Sequence, residues 1–398
     1  MQRQTYRNKI HKRKYRHAPV LLLWCMLLLG AGCGNLYTGE EPLYDPNNPG
    51  GQGDQTQLPV MVAFSDPIYN VLTRGSGVLD PEDEESFNKH IYDGTFFVYA
   101  FRSDNPNGMT YAHRRAEDTD RRYCLIDGSL DGITDEECAA LGITAEQSKE
   151  HGKRAAYAGN GSFVNWKSSG YIPYYNLQEE FDAFNFFAYY YDNAKIGEVK
   201  READRICFDV TVDGSQDLMC ASAADLKTLI EDVENGREVA ADYSEQAARL
   251  KQLPADERQL MRSCYYSTYT ARRNIWPIVR MKHQLSYVKL KFYPASQNPK
   301  EVVYITGVWI ECVNKGVFTV ASSDPAKVGV YFPADGEPGK LPSRDTEGNE
   351  KPWTDENGKS LYPIQVKEED VDKDVSRRPA TDGGVFLLPP GNNAKLLI

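Results

Sequence analysis

TFFVYAF, Thr95 to Phe101, decides how the rest of the chain is read. The run has strand length, is dense in aromatic residues, and is apolar at odd and even positions alike. That pattern belongs to a strand covered on both faces, as in a sandwich. FNFFAYYY (Phe184 to Tyr191) and RICFDVTV (Arg205 to Val212) repeat it, the second closed by an Asp213-Gly214 turn. Upstream, LPVMVAF (Leu58 to Phe64) is a short apolar run of the same kind, and IYNVLTR (Ile68 to Arg74) is a candidate second one. The Gly-rich, acidic stretch GSGVLDPEDEES that follows reads as a loop.

Downstream the strand signals resume. MKHQLSYVKLKFYP puts Met281, His283, Leu285 and Tyr287 on one parity and Val288, Leu290 and Phe292 on the other, which predicts a bulge or a change of exposed face near Tyr287. VVYITGVWIECV, Val302 to Val313, is apolar on both parities, and GVFTVA follows the Asn314-Lys315-Gly316 turn. A polar stretch, Ala334 to Asp382, then precedes VFLL, which leads through PPGNN into KLLI. The chain stops at Ile398, directly after KLLI, where a strand leaving a turn normally runs five or six residues. Further C-terminal strands are therefore expected to be missing from this chain.

Two stretches break the pattern. Arg102 to Ala158 is polar, with turn clusters and one helix near Thr134 to His151, and reads as an insertion on a loop. SAAD, Ser222 to Asp225, fits a capping box, and helical composition follows through Asp232 and from Pro254 to Ser263. Strands divided by turns, with helices confined to insertions, predict a mostly β chain of two tandem sandwiches. The first spans 58–270, with insertions at about 102–158 and 222–265, and the second 271–398.

The N-terminus has a different chemistry. Arg3, Arg7, Lys9, Lys12, Arg13, Lys14 and Arg16 precede LLLWCMLLLGAGCGN, residues Leu21 to Asn35, with no acidic residue among them. The apolar run of about a dozen residues falls short of the roughly 20 that a helix needs to span a bilayer. Basic, then apolar, then small residues is the order of a secretory leader, here 1–32. Gly-Ala-Gly-Cys at its end resembles a bacterial lipobox, with Leu29 one place early, and makes Cys33 the candidate lipidation site. The plainer alternative is a cleaved signal with an incidental cysteine. Several acyl chains, at about 0.8 kcal/mol per buried methylene, would anchor the protein stably. Residues 33–57, rich in Gly, Pro, Asn and Gln, read as a flexible tether whose reach is roughly 25 to 30 Å.

Composition narrows the partners. The net charge is -11, and more negative once the basic leader is gone, which argues against nucleic acid. Beyond Cys25 and Cys33, the six cysteines Cys124, Cys138, Cys207, Cys220, Cys264 and Cys312 allow disulfides, yet no spacing selects a pairing. No CxxC pair suggests a redox or zinc role.

Candidate sites are few. DGSLDGITDEE, Asp127 to Glu137, matches the first half of an EF-hand loop through Asp127, Ser129, Asp131 and Gly132, but the twelfth position is Cys138, with Glu137 one place early. A solvated acidic turn is the reading that follows. The chain has no HExxH, GxSxG or P-loop. Glu82, Asp83, Glu84 and Glu85 are adjacent along one loop and do not frame a cleft. His283 reads as a satisfied structural histidine. No enzyme and no cofactor are expected. Trp166, Trp276, Trp309 and Trp353 are the aromatic candidates for glycan contact; Trp309 reads as core, and Trp353, in a polar loop, stays open. Arg74, followed by Gly-Ser-Gly, is a candidate cleavage site for a trypsin-like protease.

With these residues in hand, the chain resembles the Bacteroidales fimbrillin family, the type V pilins and their surface lipoprotein relatives. The resemblance rests on the leader with its cysteine, LTRGSG, FFVYAF, FNFFAYYY, SQDLMCA, MKHQLSYVKLKF, KGVFTVA and VFLLPPGNN, in that order. It implies two transthyretin-like sandwiches and a fimbrial subunit or pilus-associated adhesin, lipid-anchored in the outer membrane through Cys33. It also implies other fimbrial subunits as partners by strand addition, and surface ligands on host or bacterial cells for an adhesin. In polymerising members an arginine-specific protease cuts after the first strand and a neighbour's C-terminal segment fills the vacated groove. The corresponding position here is Arg74, with Leu58 to Thr73 discarded. A monomeric surface lipoprotein that binds glycan is the alternative.

Overall fold

Residues that are apolar on both sides of a strand need two covering layers, and the chain supplies both. The structure is a computed structural model that describes residues 58–65, 95–103, 124–126, 151–156, 163–166, 173–191, 195–345, 349–391 and 394–398, and it is mostly β. In chain order its first half contains β1 (Leu58–Pro59), β2 (Ala63–Ser65), β3 (Thr95–Arg102), β4 (Cys124–Ile126), β5 (Lys153–Ala156), β6 (Asn165–Trp166), β7 (Tyr174–Tyr175) and β8 (Phe184–Tyr191). There follow β9 (Lys195–Ile196), β10 (Lys200–Arg201), β11 (Arg205–Thr211) and β12 (Leu218–Ser222), then helices α1 (Leu226–Glu234), α2 (Ser244–Gln252), α3 (Ala255–Cys264) and α4 (Thr268–Ala271). The remainder contains β13 (Ile278–Arg280), β14 (Lys282–His283), β15 (Ser286–Phe292), β16 (Val302–Ile305), β17 (Trp309–Val313) and β18 (Lys315–Ser322). It ends with β19 (Gly329–Tyr331), β20 (Pro338–Pro342), β21 (Tyr362–Gln365), β22 (Thr381–Leu388) and β23 (Lys395–Leu397).

One layer is a second sheet. A seven-stranded sheet, order β14-β12-β8-β3-β5-β6 with β4 beside β3, faces a five-stranded one, order β10-β11-β18-β19 with β9 beside β11. Phe97, Tyr99 and Phe101 of β3 and Phe187, Tyr189 and Tyr191 of β8 pack there with Ile206, Phe208, Val210, Phe318 and Val320. Phe208 and Phe318 meet edge to face, centroids 5.3 Å apart. Two expectations are corrected here. The stretch 102–158, read as a loop insertion, contributes β4 and β5, whose backbone groups pair with β3. The division at 270 is crossed by β18 and β19: the edge of β11 is satisfied by β18 in antiparallel register from Arg205–Ser322 to Thr211–Lys315. The helix expected near Thr134 to His151 falls largely outside the described residues.

The other layer covers Phe96, Val98, Ala100, Phe186 and Ala188, which alternate with the first set and are also buried. It is made by the segment 58–65, by β13 and by the helices of the second insertion. In α1, Leu226, Leu229, Ile230 and Val233 form one buried stripe at helical spacing. Its N-cap is Asp225, whose carboxylate accepts from the Lys227 amide; Ser222, expected as the cap, still belongs to β12. Glu234 of α1 binds Arg258 at 3.0 Å and also Arg262 of α3.

A second core lies beyond. Ile305, Val308, Ile310, Cys312, Leu341, Trp353, Phe386 and Leu388 form it, within the pairs β15-β22 and β16-β21 and the sheet β20-β17-β23. The parity change predicted near Tyr287 has a simple cause. Tyr287 packs on the first core, whereas Val288, Leu290 and Phe292 pack on the second, so β15 alternates normally between two cores. The bulge sits elsewhere, opposite Leu290 and Lys291, where β22 carries Gly383 as an extra residue. Gly384 beside it has φ +83°, and a Cβ there would meet the Arg344 carbonyl oxygen at 2.8 Å.

Candidate functional site

The segment 58–65 sits in a slot. Leu58, Val60, Val62 and Phe64 alternate along an extended chain and are all buried, Val62 completely. The Phe64 ring stacks on Phe96 at 5.0 Å. Full burial of such side chains is worth about 1.5 to 3 kcal/mol each, so the four together reach on the order of 6 to 12 kcal/mol as an upper bound. That is comparable with the whole net stability of a domain, about 5 to 15 kcal/mol. An emptied slot would therefore be an unstable surface.

Both flanks of the segment are hydrogen-bonded to chain far away in sequence. β1 pairs antiparallel with β7, and the Val60 amide donates to the Pro173 carbonyl at 2.8 Å. On one side of β2, Ala63 bridges Phe163 and the Val164 amide donates to the Val62 carbonyl at 2.9 Å. On the other side, β2 runs parallel to β13, and the Ala63 amide donates to the Pro277 carbonyl at 2.9 Å. A bridge from Val279 to Ala223 joins β13 to the residue after β12. The strands β12, β8, β3, β5, β6, β2 and β13 thus follow one another round a ring, and β2 is the stave that closes it.

Polar groups near the slot are neutral or paired. Burial pushes the Tyr175 and Tyr266 hydroxyls far above their usual range, and Tyr266 Oη donates to the Ala224 carbonyl at 2.9 Å. The Arg280 guanidinium on β13 lies 3.5 Å from Asp242.

The remaining candidates fall as follows. Cys33, Arg74, the acidic residues 82–85 and the loop 127–137 lie outside the described residues. His283 is bonded through Nδ1 to the buried Asp217 at 2.7 Å. Trp353 belongs to the second core and donates from Nε1 to Ser343 Oγ at 2.6 Å. Trp309, expected in the core, is 39% exposed, because its neighbour Ile310 takes the inward parity; its ring lies over the backbone of Gly307, leaving no room for a Cβ there. The apolar stretch from Val302 to Val313 holds two strands, β16 and β17, with a break between them. Cys207, Cys220, Cys264 and Cys312 are free buried thiols, and burial pushes Cys220 up to about 12 and Cys312 up to about 11. At the C-terminus, β23 pairs with β17; Leu396 lies opposite the inward-facing Ile310 but is 44% exposed.

Sequence reasoning missed the slot's walls. Phe163 and Trp276 lie in short stretches with no strand periodicity, and only the apolar run Ile275-Trp276-Pro277-Ile278-Val279 signals β13. Among the described residues no helix is long and apolar enough to cross a membrane. Comparison with known proteins returns no matching family model, no matching curated protein and no matching solved structure.

Proposed function

We propose that the chain is a fimbrial structural subunit or pilus-associated adhesin of the fimbrillin type, exported as a lipoprotein and assembled by strand exchange. On this reading the two cores belong to two tandem transthyretin-like sandwiches, and the segment 58–65 is the exchangeable strand. One observation carries it: a short extended segment, buried at every second residue, bonded on both flanks to residues more than a hundred positions away. Such a segment is held by surroundings that any similar extended chain could engage. Arg74, nine residues after Ser65, is the cleavage site that would free it. Cys33 carries the lipid that holds the unassembled subunit to the outer membrane.

The test is treatment of the full-length protein with an arginine-specific protease. Cutting after Arg74, loss of the fragment containing 58–65, and SDS-resistant ladders are expected. A cut chain that stays monomeric and never takes up a synthetic peptide of residues 58–65 would overturn the reading. The alternative, a monomeric surface lipoprotein that binds glycan, is favoured by the solvent-facing ring of Trp309, flanked across the strands by Pro342 and Leu397. Polysaccharide binding lost on Trp309→Ala in a persistent monomer would support it.

A further inference from the structure

The ribbon is closed on its outward side at one residue. Val62 and Phe64 point inward and Ala63 points the opposite way, yet Ala63 is only 2% exposed. Directly opposed residues in neighbouring strands share a face, so Phe163 and Ile278 flank Ala63 on that outward side. Trp276, two residues before Ile278, stands on the same side. Its indole meets the Phe163 ring nearly at right angles, with centroids 4.8 Å apart. Phe163, directly opposite Ala63, belongs to one wall of the slot and Trp276 to the other, so their contact crosses the outward side of the ribbon beside Ala63.

Helix α2 fixes this contact from behind. The Arg249 guanidinium lies 4.9 Å from the centre of the Trp276 ring and is bound to Glu245 at 2.6 Å. The buried Gln246 donates from Nε2 to the Trp276 carbonyl at 2.6 Å. Pro277 restricts Trp276 to extended backbone. The side chain that spans the slot is thus held at its ring, at its carbonyl and through its backbone.

We propose that Phe163 and Trp276 form a clasp over position 63, which admits only an extended segment with a small residue there and sets how fast that segment leaves. The partner it selects is an apolar, alternating peptide strand with an alanine- or glycine-sized residue between its last two inward side chains. The steric part concerns the intact chain; the selection of an incoming segment rests on the exchange reading above.

Hydrogen exchange in the intact, uncut full-length protein tests the clasp by itself. Trp276→Ala is expected to speed exchange of the Ala63 and Val164 amides by about tenfold or more. Ala63→Leu in the otherwise unaltered protein is expected to do the same, whereas combining it with Trp276→Ala restores protection. Effects that simply add in the double variant, or no effect of Trp276→Ala, would overturn the clasp. Should Trp276→Ala fail to fold, Arg249→Met removes the charge behind the ring and is expected to raise exchange about threefold; unchanged exchange would count against the clasp.

Peptide capture tests selection after protease treatment. A peptide of residues 58–65 with Ala63 replaced by Leu is expected to bind the emptied slot about tenfold or more weakly than the unaltered peptide, and equally well once Trp276 is Ala. Entry regardless of the residue at 63 overturns the clasp and leaves exchange standing. Protected amides in the intact chain, with no peptide entering any variant, leave the clasp standing and overturn exchange.

Discussion

Phe386 and Leu387, neighbours in β22, are buried in different hydrophobic cores: Phe386 with Ile310 and Trp353, Leu387 with Phe208 and Phe318. A strand whose side chains alternate can serve a core on each face, and the β15-β22 pair does so. The two cores should therefore unfold together. Phe386→Ala is expected to cost about 3 to 5 kcal/mol and Leu387→Ala about 2 to 5 kcal/mol. Each should move one common guanidinium transition, read by hydrogen exchange of amides in β11 and β17, with an unchanged slope. Separate transitions for the two strands would show the cores to be independent.

The turn after β11 ties the cores by polar contacts as well. Arg344 reaches Asp213 through its carboxylate at 3.1 Å and its carbonyl at 3.3 Å, and the Leu387 amide donates to the Gly214 carbonyl at 3.1 Å. Burial alone would raise the Asp213 carboxyl, but the Ser215 hydroxyl and amide, then Arg344 and Gln216, hold it below its ordinary value. A carboxyl depressed by folding stabilises fully above its unfolded pKa, near 3.9, and loses that contribution as pH falls through the folded value. Because the side chain is half exposed, Asp213→Asn should cost no more than about 1 kcal/mol at pH 7. The difference from the parent should shrink below about pH 3 in denaturant titrations.

Legibility in the sequence followed the length of the element and the range of its contacts. β3, β8, β11 and β18 each have seven or eight residues and announce themselves by composition. Periodicity, however, reports that a face is covered and not by what. Phe96 to Ala100 were legible as buried on both sides, yet nothing in TFFVYAF says that its second cover is the segment 58–65 with a helical layer. The parity change at Tyr287 was legible as a bulge or a change of exposed face, but not as a strand alternating between two cores, because periodicity does not say which core each parity meets. Trp309, read as core, faces solvent, and Trp353, left open, is core: composition describes their surroundings, whereas strand parity and a loop folded onto Tyr362, 4.8 Å from the Trp353 ring, place them. The slot was half legible. Its occupant is a visible apolar run, but its walls are two- and three-residue strands whose partners lie far along the chain.

His151 gives the first core its own pH dependence. It is buried among Phe97, Tyr191 and Phe208, with Nδ1 2.9 Å from Tyr189 Oη. Burial, with a smaller push from Arg201, lowers its pKa to about 4. The unfolded chain takes up the proton near pH 6.5 and the folded one does not. Stability is therefore full above pH 6.5 and declines as pH falls towards 4, by about 1.4 kcal/mol per unit at most. His151→Gln should remove this share of the slope between pH 6.5 and 4. Denaturant unfolding at pH 7, 5.5 and 4.5 checks it, and an unaltered slope in the variant would mean that other groups carry the decline.

The ribbon offers the sharpest contrast between adjacent positions. Phe64 is 1% exposed and stacked on Phe96, so Phe64→Ala leaves a cavity at the closing stave of the ring. The expected cost is about 3 to 5 kcal/mol in the intact chain. Met61 lies on the outward side and is only partly buried, and Met61→Ala should change stability by about 0.5 kcal/mol or less. Equilibrium unfolding of the two variants gives the first comparison. The second is retention: in the protease-treated protein, the Phe64→Ala fragment should dissociate well before the Met61→Ala one, because the stacked ring is buried only while the fragment occupies the slot. Equal retention of the two fragments would mean that the inward side chains do not hold the ribbon, and that its backbone bonds to Pro173, Val164 and Pro277 do so alone.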